Sequence, residues 1–427
     1  MRTPIRLAGL LLALALATAG DARADRPPND LSLPSFLQLA WTTNQRPAAA
    51  RSELEAALAA QAQARALRGP TLGLEVTGGW VSRTQSLEMP GRSIEFGDGS
   101  TVDAALQAGW TLYAGGALEA GERRAASEAL ARREEQIADS LRLSAELRAA
   151  FLSALAAESI RAAAELGVSR LERLQSEVNT RLAEGTTGEE AMLLVESRLA
   201  QARQEFALRD GDARAARLEL GALIGKPGAA VIPKGELETP LEGVEAGARR
   251  LATLAALDAR LRAGEALVGQ LGAWRRPRVE AGAGWHLARP GVDPIRNDWM
   301  GYASANLRVK WSLWDNRLGQ LRQAEARSQR KALEHRLREA ERETGSLLER
   351  CREWVGAALT AWDEAVAREA LETRRQGLVE ARWRLGMATE RDWLDAQDDL
   401  RQAQLDRALG AARLRLAENR LLQAMGR

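Results

Sequence analysis

Three carboxylates lie on one face of a helix predicted near the C-terminus of this 427-residue chain. Asp395 and Asp399 follow Asp392 at intervals of three and seven residues, which brings all three to the same helix face. Carboxylates that converge around a narrow opening select for cations. Alternatively, Thr389 caps this helix with Asp392 in its first turn, where acids are favoured in any helix. A cap needs only one acid, so the stripe of three acids on one helix face favours a charged site. The helix cap remains the alternative.

Other residues that could carry chemistry are few and scattered. Cys351 is the only cysteine, and His286 and His335 are the only histidines. Their positions offer no metal-ligand spacing and no nucleophile–base arrangement. The Gly-Ala-Gly run at 282–284 lacks the third glycine and the following helix of a dinucleotide loop. We therefore expect no catalytic residues, no metal and no cofactor.

The N-terminus predicts export. Residues 1–24 combine a basic start, an apolar run and an Ala-Arg-Ala cleavage site, as a signal peptide does. No later segment holds the roughly 18 apolar residues of a membrane-spanning helix. Without the signal peptide the chain carries equal numbers of basic and acidic residues. This balance argues against nucleic acid as a partner.

The elements that must position these residues occur twice. The run Trp-Thr-Leu-Tyr at 110–113 recurs as Trp-Ser-Leu-Trp at 311–314, 201 residues later. At the same offset, Arg181–Gly185 aligns with Arg382–Gly386. A fixed offset of this kind indicates a duplicated structural unit. We assign residues 25–230 and 231–427 to two repeats, each with a helix, two strands, a long helix and a returning helix.

The proline distribution predicts two very long helices. No proline lies between residues 91 and 226 or between 295 and 427. The first helix is expected from Gly116 to about Leu182 and the second from Arg317 to about Leu385. Each would measure about 100 Å, a length typical of coiled coils. Each ends at a glycine-containing turn, from which a shorter helix returns antiparallel. The turn residues are Gly185, Thr186, Thr187, Gly188, Gly386, Met387, Ala388 and Thr389.

Strict alternation of apolar and polar residues predicts four strands, near residues 72–80, 102–112, 279–287 and 303–313. In the last strand, Leu307, Val309 and Leu313 share one face, while Arg308 and Lys310 share the other with Asn306. Aromatic residues in or beside these strands are typical of membrane interfaces: Trp80, Trp110, Tyr113, Trp285, Trp299, Tyr302, Trp311 and Trp314. Four strands cannot close a barrel with an open lumen, so a barrel requires several copies of the chain.

Over nearly its whole mature length the sequence resembles the TolC family of outer-membrane efflux proteins. The resemblance rests on the Leu-Ser-Leu opening at 31–33, on Trp-Thr-Leu-Tyr-Ala-Gly-Gly at 110–116 and on Gly-Met-Ala-Thr-Glu-Arg-Asp-Trp-Leu-Asp-Ala-Gln at 386–397. It implies an α+β membrane protein that forms a homotrimer. Three chains would share one outer-membrane β-barrel of twelve strands, continued by a coiled-coil helical tunnel in the periplasm. A periplasmic adaptor and an inner-membrane pump would be its partners.

The resemblance also assigns roles to the residues of the second turn. Asp392 and Asp395 match carboxylates that ring the periplasmic constriction of the tunnel, and Asp399 extends that stripe. The two helical turns would be the tips at which the adaptor docks. The family contacts that lock the coils are missing, because Trp383 and Ala388 replace a tyrosine and an arginine, and Ala191 replaces an aspartate.

Glu189 and Glu190 could instead pair with Arg391, but a cap formed by Thr187 and Glu190 is favoured for the first returning helix.

The favoured function is a passive exit duct in the outer membrane, for drug efflux or for type I protein secretion. The sequence does not distinguish these cargoes. The alternative is a soluble periplasmic coiled-coil scaffold or adaptor, which explains the long helices and leaves the four alternating strands unexplained. An enzyme is the weakest of the three classes.

Overall fold

The computed structural model describes residues 30–83, 86–95, 99–244, 251–293 and 297–427. The expected signal peptide, residues 1–24, lies outside these described residues. The helices are α1 (Leu33–Thr43), α2 (Gln45–Ala66), α3 (Ala117–Ala183), α4 (Glu189–Leu223), α5 (Ala252–Gly272), α6 (Leu318–Arg384) and α7 (Glu390–Ala424). The strands are β1 (Asp30–Ser32), β2 (Thr71–Trp80), β3 (Ser86–Met89), β4 (Arg92–Glu95), β5 (Ser100–Tyr113), β6 (Ile232–Lys234), β7 (Arg278–Arg289) and β8 (Met300–Lys310).

The predicted long helices are confirmed, with starts and ends within one residue of the expected positions. Helices α3 and α6 have 67 residues each, and the returning helices α4 and α7 have 35 each. All four pairs of helix boundaries are separated by the same 201 residues that separate the sequence repeats. Proline is absent from these stretches, so no residue in the helix interiors lacks the N–H that the helical hydrogen bonds need.

The chain folds as two compact units, and each draws on separate stretches of sequence. Within the described residues, the first unit comprises 30–44, 144–244 and 352–421. The second comprises the described residues of 45–143, 251–351 and 422–427. Among the described residues, every helix falls short of the apolar character that a membrane span requires.

The first unit is held together by contacts between distant parts of the sequence. Phe36 of α1 packs on Phe151 of α3 with ring centroids 5.4 Å apart. Strand β1 pairs in parallel with β6, a pairing that the alternation of residues did not predict. Three-residue strands are too short to show a period of two, which explains the omission.

The second unit contains an antiparallel sheet in the order β2-β5-β7-β8. Three of its strands span the predicted positions, but β8 ends at Lys310, before the predicted end at Leu313. Lys310 pairs with Arg278, the first residue of β7, and the chain before Arg278 forms a 3₁₀ turn. No residue of β7 therefore lies opposite positions 311–313. In β5 an irregularity near Thr111 lets that strand continue to Tyr113.

Candidate functional site

The four-stranded sheet has one apolar and one polar face, and its apolar face is exposed. In the β5–β7 pair Leu106 lies opposite Trp285, and in the β7–β8 pair Val279 lies opposite Val309. The large apolar side chains of this face have exposed fractions between 38% and 74%. They are Leu72, Leu74, Val76, Trp80, Val102, Leu106, Trp110, Trp285, Leu287, Leu307 and Val309. An exposed apolar surface of this extent marks contact with lipid or with another protein.

The opposite face carries polar and charged residues at every strand. Glu280 lies opposite Arg308, and Arg278 Nε donates to Glu280 Oε1 at 2.6 Å. Asn306 faces Gly282, and Lys310 faces Arg278. The predicted facing of residues 306–310 agrees with this register, whereas Leu313 lies beyond the strand. The sheet thus separates a lipid-like side from a water-like side, as the strands of a membrane barrel do.

A hydrogen-bonded series crosses three strands on the polar face. Asp103 Oδ2 lies 3.0 Å from His286 Nδ1, and His286 Nε2 lies 3.0 Å from Ser304 Oγ. The ring of Tyr302 stacks on His286 at a centroid distance of 4.7 Å. The sequence predicted no nucleophile–base arrangement, and this prediction is wrong, because the hydroxyl of Ser304 lies within hydrogen-bond distance of the His286 ring. Through these side chains the series connects β5, β7 and β8.

Sequence spacing gave no signal for this series, because its members are separated by 183 and 18 residues. Only the strand register brings them side by side.

Most of the predicted interface aromatics lie toward the ends of the sheet, but Trp285 lies in the middle of β7, opposite Leu106 of β5. Trp110 and Tyr113 lie in the last part of β5, and Trp311 follows β8. Two of these indoles have backbone partners, since Trp110 Nε1 donates to Arg68 O at 2.8 Å and Trp311 Nε1 to Arg275 O at 3.2 Å. At the other end of the sheet, Trp80 is the last residue of β2 and Trp299 directly precedes β8. Tyr302 differs, because it stacks on His286 on the polar face.

The two helical turns of the first unit have the same backbone geometry. Gly185 and Gly386 both have φ of +71°, in the left-handed region that favours glycine. The N–H of the next residue donates to the carbonyl five residues earlier in each turn, from Thr186 to Arg181 at 2.9 Å and from Met387 to Arg382 at 2.8 Å. This pattern is a Schellman motif, which ends a helix by satisfying its last carbonyl groups.

The returning helices begin differently. At α7, Thr389 Oγ1 accepts the N–H of Asp392 at 3.2 Å, and Asp392 Oδ2 accepts the N–H of Thr389 at 2.9 Å. This capping box lowers the pKa of Asp392, chiefly through the backbone N–H of Thr389. At α4 the cap is Gly188, without a side-chain hydrogen bond. The expected cap by Thr187 and Glu190 is therefore wrong.

Thr187 Oγ1 instead donates to Glu390 Oε1 at 3.1 Å. The partner lies 203 residues away in the sequence, so local motif matching could not identify it. Within the described part of the chain, Arg391 forms no ion pair with Glu189 or Glu190.

The three carboxylates of the stripe have different surroundings. Asp392 is engaged by the cap, and Asp399 Oδ2 accepts a hydrogen bond from Arg375 Nη1 at 2.5 Å. Asp395 is exposed and takes part in no ion pair among the described residues. Their role in a constriction stays a prediction, with Asp395 as the carboxylate that the chain itself leaves available.

A pair of tryptophans packs beside the two turns. Trp383 is 1% exposed, and its ring centroid lies 6.4 Å from that of Trp393. The guanidinium of Arg181 lies over the Trp383 ring at 3.8 Å, and Arg181 Nη2 donates to Trp383 O at 3.3 Å. This cation–π contact joins the ends of α3 and α6 beside the turns.

Comparison with known proteins identifies a family. The sequence profile described as "Outer membrane efflux protein" matches residues 36–226 and 245–427. A search of curated proteins found no significant match.

Solved structures share the fold along most of the chain. A membrane protein from Pseudomonas aeruginosa is 19% identical with a TM-score of 0.79, covering 92% of this chain and 93% of that one. The outer membrane protein VceC from Vibrio cholerae is 16% identical with a TM-score of 0.77, covering 92% and 96%. The outer membrane channel MtrE from Neisseria gonorrhoeae, solved in its open state, is 16% identical with a TM-score of 0.77, covering 92% and 88%.

Proposed function

Because the chain belongs to the outer membrane efflux protein family, we propose that three copies of it form the exit duct of a tripartite efflux pump or of a type I secretion system. The protein is an outer-membrane efflux channel protein, and its family is one of channels rather than enzymes. In the proposed trimer, three four-stranded sheets close one barrel, and the long helices continue it as a periplasmic tunnel. An adaptor and an inner-membrane pump deliver the substrate to this passive duct.

The observation that carries the proposal is the two-faced sheet. In water its exposed apolar face would be a large hydrophobic patch, whereas in lipid the same face is favourably solvated. The sheet also ends in two open edges, β2 and β8, whose unpaired backbone groups a bilayer does not tolerate. Pairing β8 of one chain with β2 of the next removes every edge when three chains close a ring.

The number of strands sets the need for several copies. A closed sheet needs about eight strands before its interior is even wide enough for side chains. A single chain supplies four to the sheet, so a lumen that passes substrate requires strands from neighbouring chains. In this arrangement Arg308 and Lys310 line the lumen, and Leu307 and Val309 contact lipid.

We assign the two turns to the periplasmic end of the duct. Helices α3 and α6 each begin just after a strand of the sheet and end at a turn 67 residues later. The turns at 185–188 and 386–389 then form the docking surface for the adaptor. Asp395 lines the constriction beside them, and Asp392 and Asp399 add negative charge from their cap and ion pair.

The soluble scaffold is not favoured. It explains the long helices, but it leaves the apolar face of the sheet in water and both sheet edges unpaired. Fractionation of cells that produce the protein separates these functions. The duct predicts an outer-membrane protein that migrates as a trimer in sodium dodecyl sulfate and dissociates on heating. A monomer in the soluble periplasmic fraction would contradict it.

A further inference from the structure

Helix α6 carries an apolar face that the chain itself does not cover. Leu371, Leu378 and Leu385 follow one another at intervals of seven residues, so they lie on one side of the helix. Their exposed fractions are 64%, 68% and 71%. Ala367 and Ala381 are exposed on the same side, whereas another side of α6 packs in the hydrophobic core of the first unit. Leucines at this spacing are typical of a helix that packs against a partner helix.

Helix α4 carries a second uncovered face, on which small residues separate the leucines. Leu193, Leu208 and Leu218 are 59%, 64% and 45% exposed. Val195 and Leu199 lie on the other side of α4, in the hydrophobic core of the unit. The exposed row continues between the leucines at intervals of three or four residues, through Ser197, Ala200, Gln204, Gly211 and Ala215.

The sequence repeat shows that the two faces belong to these two helices and not to the repeated backbone. At the positions equivalent to the three leucines of α6, helix α3 has Arg170, Glu177 and Glu184. At the positions equivalent to the first and last leucines of α4, helix α7 has Leu394 and Asn419, which are each 3% exposed. The uncovered leucine rows on α6 and α4 therefore arose after the duplication, on two different helices.

Both turns of the unit lie at the same level along the helices. Thr187 Oγ1 beside the first turn donates to Glu390 Oε1 beside the second at 3.1 Å. Farther from the turns, Arg401 Nη1 of α7 donates to Glu205 Oε2 of α4 at 2.6 Å. Because each helix rises about 1.5 Å per residue, residues equally far from the two turns lie at one level.

At matching levels, a leucine of one face lies level with a small residue of the other. Leu193 of α4 and Ala381 of α6 are both five residues from their turn glycines, at positions 188 and 386. Ser197 is nine residues from its turn glycine and Leu378 is eight. Farther along, Leu208 of α4 is level with Ala367 of α6 to within one residue. Faces with this size relation interdigitate as knobs and holes.

Exposed charges beside the two faces have opposite signs. On α6 they are the guanidinium groups of Arg374 and Arg382, and on α4 the carboxylates of Glu196 and Glu190. Within the described part of the chain these four side chains form no ion pair with one another or with other residues. Arg374 is level with Glu196 to within four residues and Arg382 with Glu190 to within two, which is within the reach of an arginine side chain.

We propose that α6 of one chain packs antiparallel against α4 of the neighbouring chain, along a surface that we call the α4–α6 seam. The proposal rests on the proposed trimer, in which rotation about an axis along the helices leaves the level of every residue unchanged. A ring of three copies needs two different surfaces that fit each other, because each contact in it is head-to-tail. The leucine row of α6 and the smaller row of α4 are two such surfaces.

Disulfide cross-linking tests the seam in the full-length protein. Ser197→Cys and Leu378→Cys are combined in the Cys351→Ala background, and outer membranes are oxidised with copper phenanthroline. A disulfide needs Cα atoms within about 7 Å, so it reports which helix sides meet. This pair should give dimers and trimers that resist heating and disappear on reduction. Ser197→Cys with Gly377→Cys is the matched control and should give monomers, because Gly377 is exposed at the same level on another side of α6.

A second pair, Leu193→Cys with Ala381→Cys, replaces the first pair if that variant does not assemble. Heat-labile trimers that form neither cross-link, or that cross-link equally in the control, overturn the seam alone. Cross-linking through a single cysteine at position 378 also overturns it, since α6 would then meet α6. Absence of heat-labile trimers from the Cys351→Ala parent overturns the proposed trimer, and the seam with it.

An adaptor is the other partner that could cover the leucines of α6. Purified trimers in detergent contain no adaptor, so the reaction of single cysteines with a water-soluble maleimide separates the two partners. In the seam, Leu378→Cys should react more slowly than Gly377→Cys in the trimer. Equal rates for the two variants would leave this face uncovered in the trimer and would contradict the proposal.

Discussion

The sheet and the helical turns of this protein depend on different features of the sequence. In the sheet, the alternation of many side chains creates two faces, and no single residue decides which face is apolar. In each turn, one glycine with φ of +71° ends the long helix, and the remaining turn residues vary. A pattern spread over many residues tolerates exchange within a residue class. A positive φ angle that depends on one glycine does not tolerate replacement of that glycine by another residue.

The two turns extend this lesson, because they share a backbone and differ in side chains. The first returning helix begins at Gly188 without a side-chain cap, and the second begins with the Thr389–Asp392 capping box. The backbone geometry of the repeat therefore does not fix its side-chain contacts. The carboxylates that make the second turn distinctive have no counterpart at positions 191 and 194 of the first.

The largest expected effect comes from a charge on the apolar face. Val309→Arg should destabilise the assembled barrel by about 2–4 kcal/mol if position 309 lies near the membrane midplane, because the guanidinium would enter hydrocarbon. The amount of heat-labile trimer in outer membranes measures this. Asn306→Arg places the same charge on the polar face and should assemble normally. Equal trimer yields for the two variants would count against the assignment of faces.

The next effect concerns the backbone of a turn. Gly386→Val forces a β-branched residue into the left-handed region, which costs about 1–2 kcal/mol locally. Trimers should remain in the outer membrane, but efflux complementation should be lost because the tip changes shape. A Cβ at Gly386 meets no atom within 4 Å, so a steric clash of the new side chain does not contribute to the expected effect.

Gly188→Ser is the control, since Gly188 has an extended backbone with φ of −96° and serine is a good N-cap. Full efflux by Gly386→Val would remove this turn from the functional surface.

The sequence predicted the sheet and the long helices because their signals repeat over many residues. Alternation located β2, β5, β7 and β8, and the absence of proline gave α3 and α6 to within one residue. What it could not predict depends on contacts between distant residues. The hydrogen bonds from Thr187 to Glu390 and between Asp103 and His286 join residues that only the folded helices and strands bring together. The early end of β8 follows from the start of its partner β7.

A smaller effect should separate the two caps. Thr389→Ala removes the side chain that caps α7 and should cost about 1 kcal/mol, whereas Thr187→Ala removes no cap and should cost less. Thermal unfolding of the paired variants measures the difference. Equal losses would show that the capping box does not stabilise the second turn.

The same cap should depend on pH. The folded-state pKa of Asp392 is lowered by the hydrogen bonds from Thr389, so its contribution is complete above the unfolded pKa of about 4. The contribution is lost as the pH falls through the folded-state value. The stability difference between wild type and Thr389→Ala should therefore shrink in acid. A difference that stays constant from neutral pH to strong acid would contradict this account.

The smallest effect on stability should accompany a change in conduction. Replacing Asp392 and Asp395 with Asn should weaken the cation preference of the channel and its block by multivalent cations in planar-bilayer recordings. Asp395→Asn alone should retain the cap and still reduce both properties. If Asp392 serves only as a cap and Asp395 faces no pore, selectivity and block in a correctly assembled double variant should match the wild type.

Thiol labelling of strand β8 in intact outer membranes tests the central claim most directly. Single cysteines at positions 307 to 310 are introduced into a Cys351→Ala background, because Cys351 is the only native thiol. A water-soluble reagent should label positions 308 and 310 rapidly and leave positions 307 and 309 protected, since alternate residues face the lumen and the lipid. Rapid labelling at 307 and 309, with protection at 308 and 310, would contradict the proposed barrel.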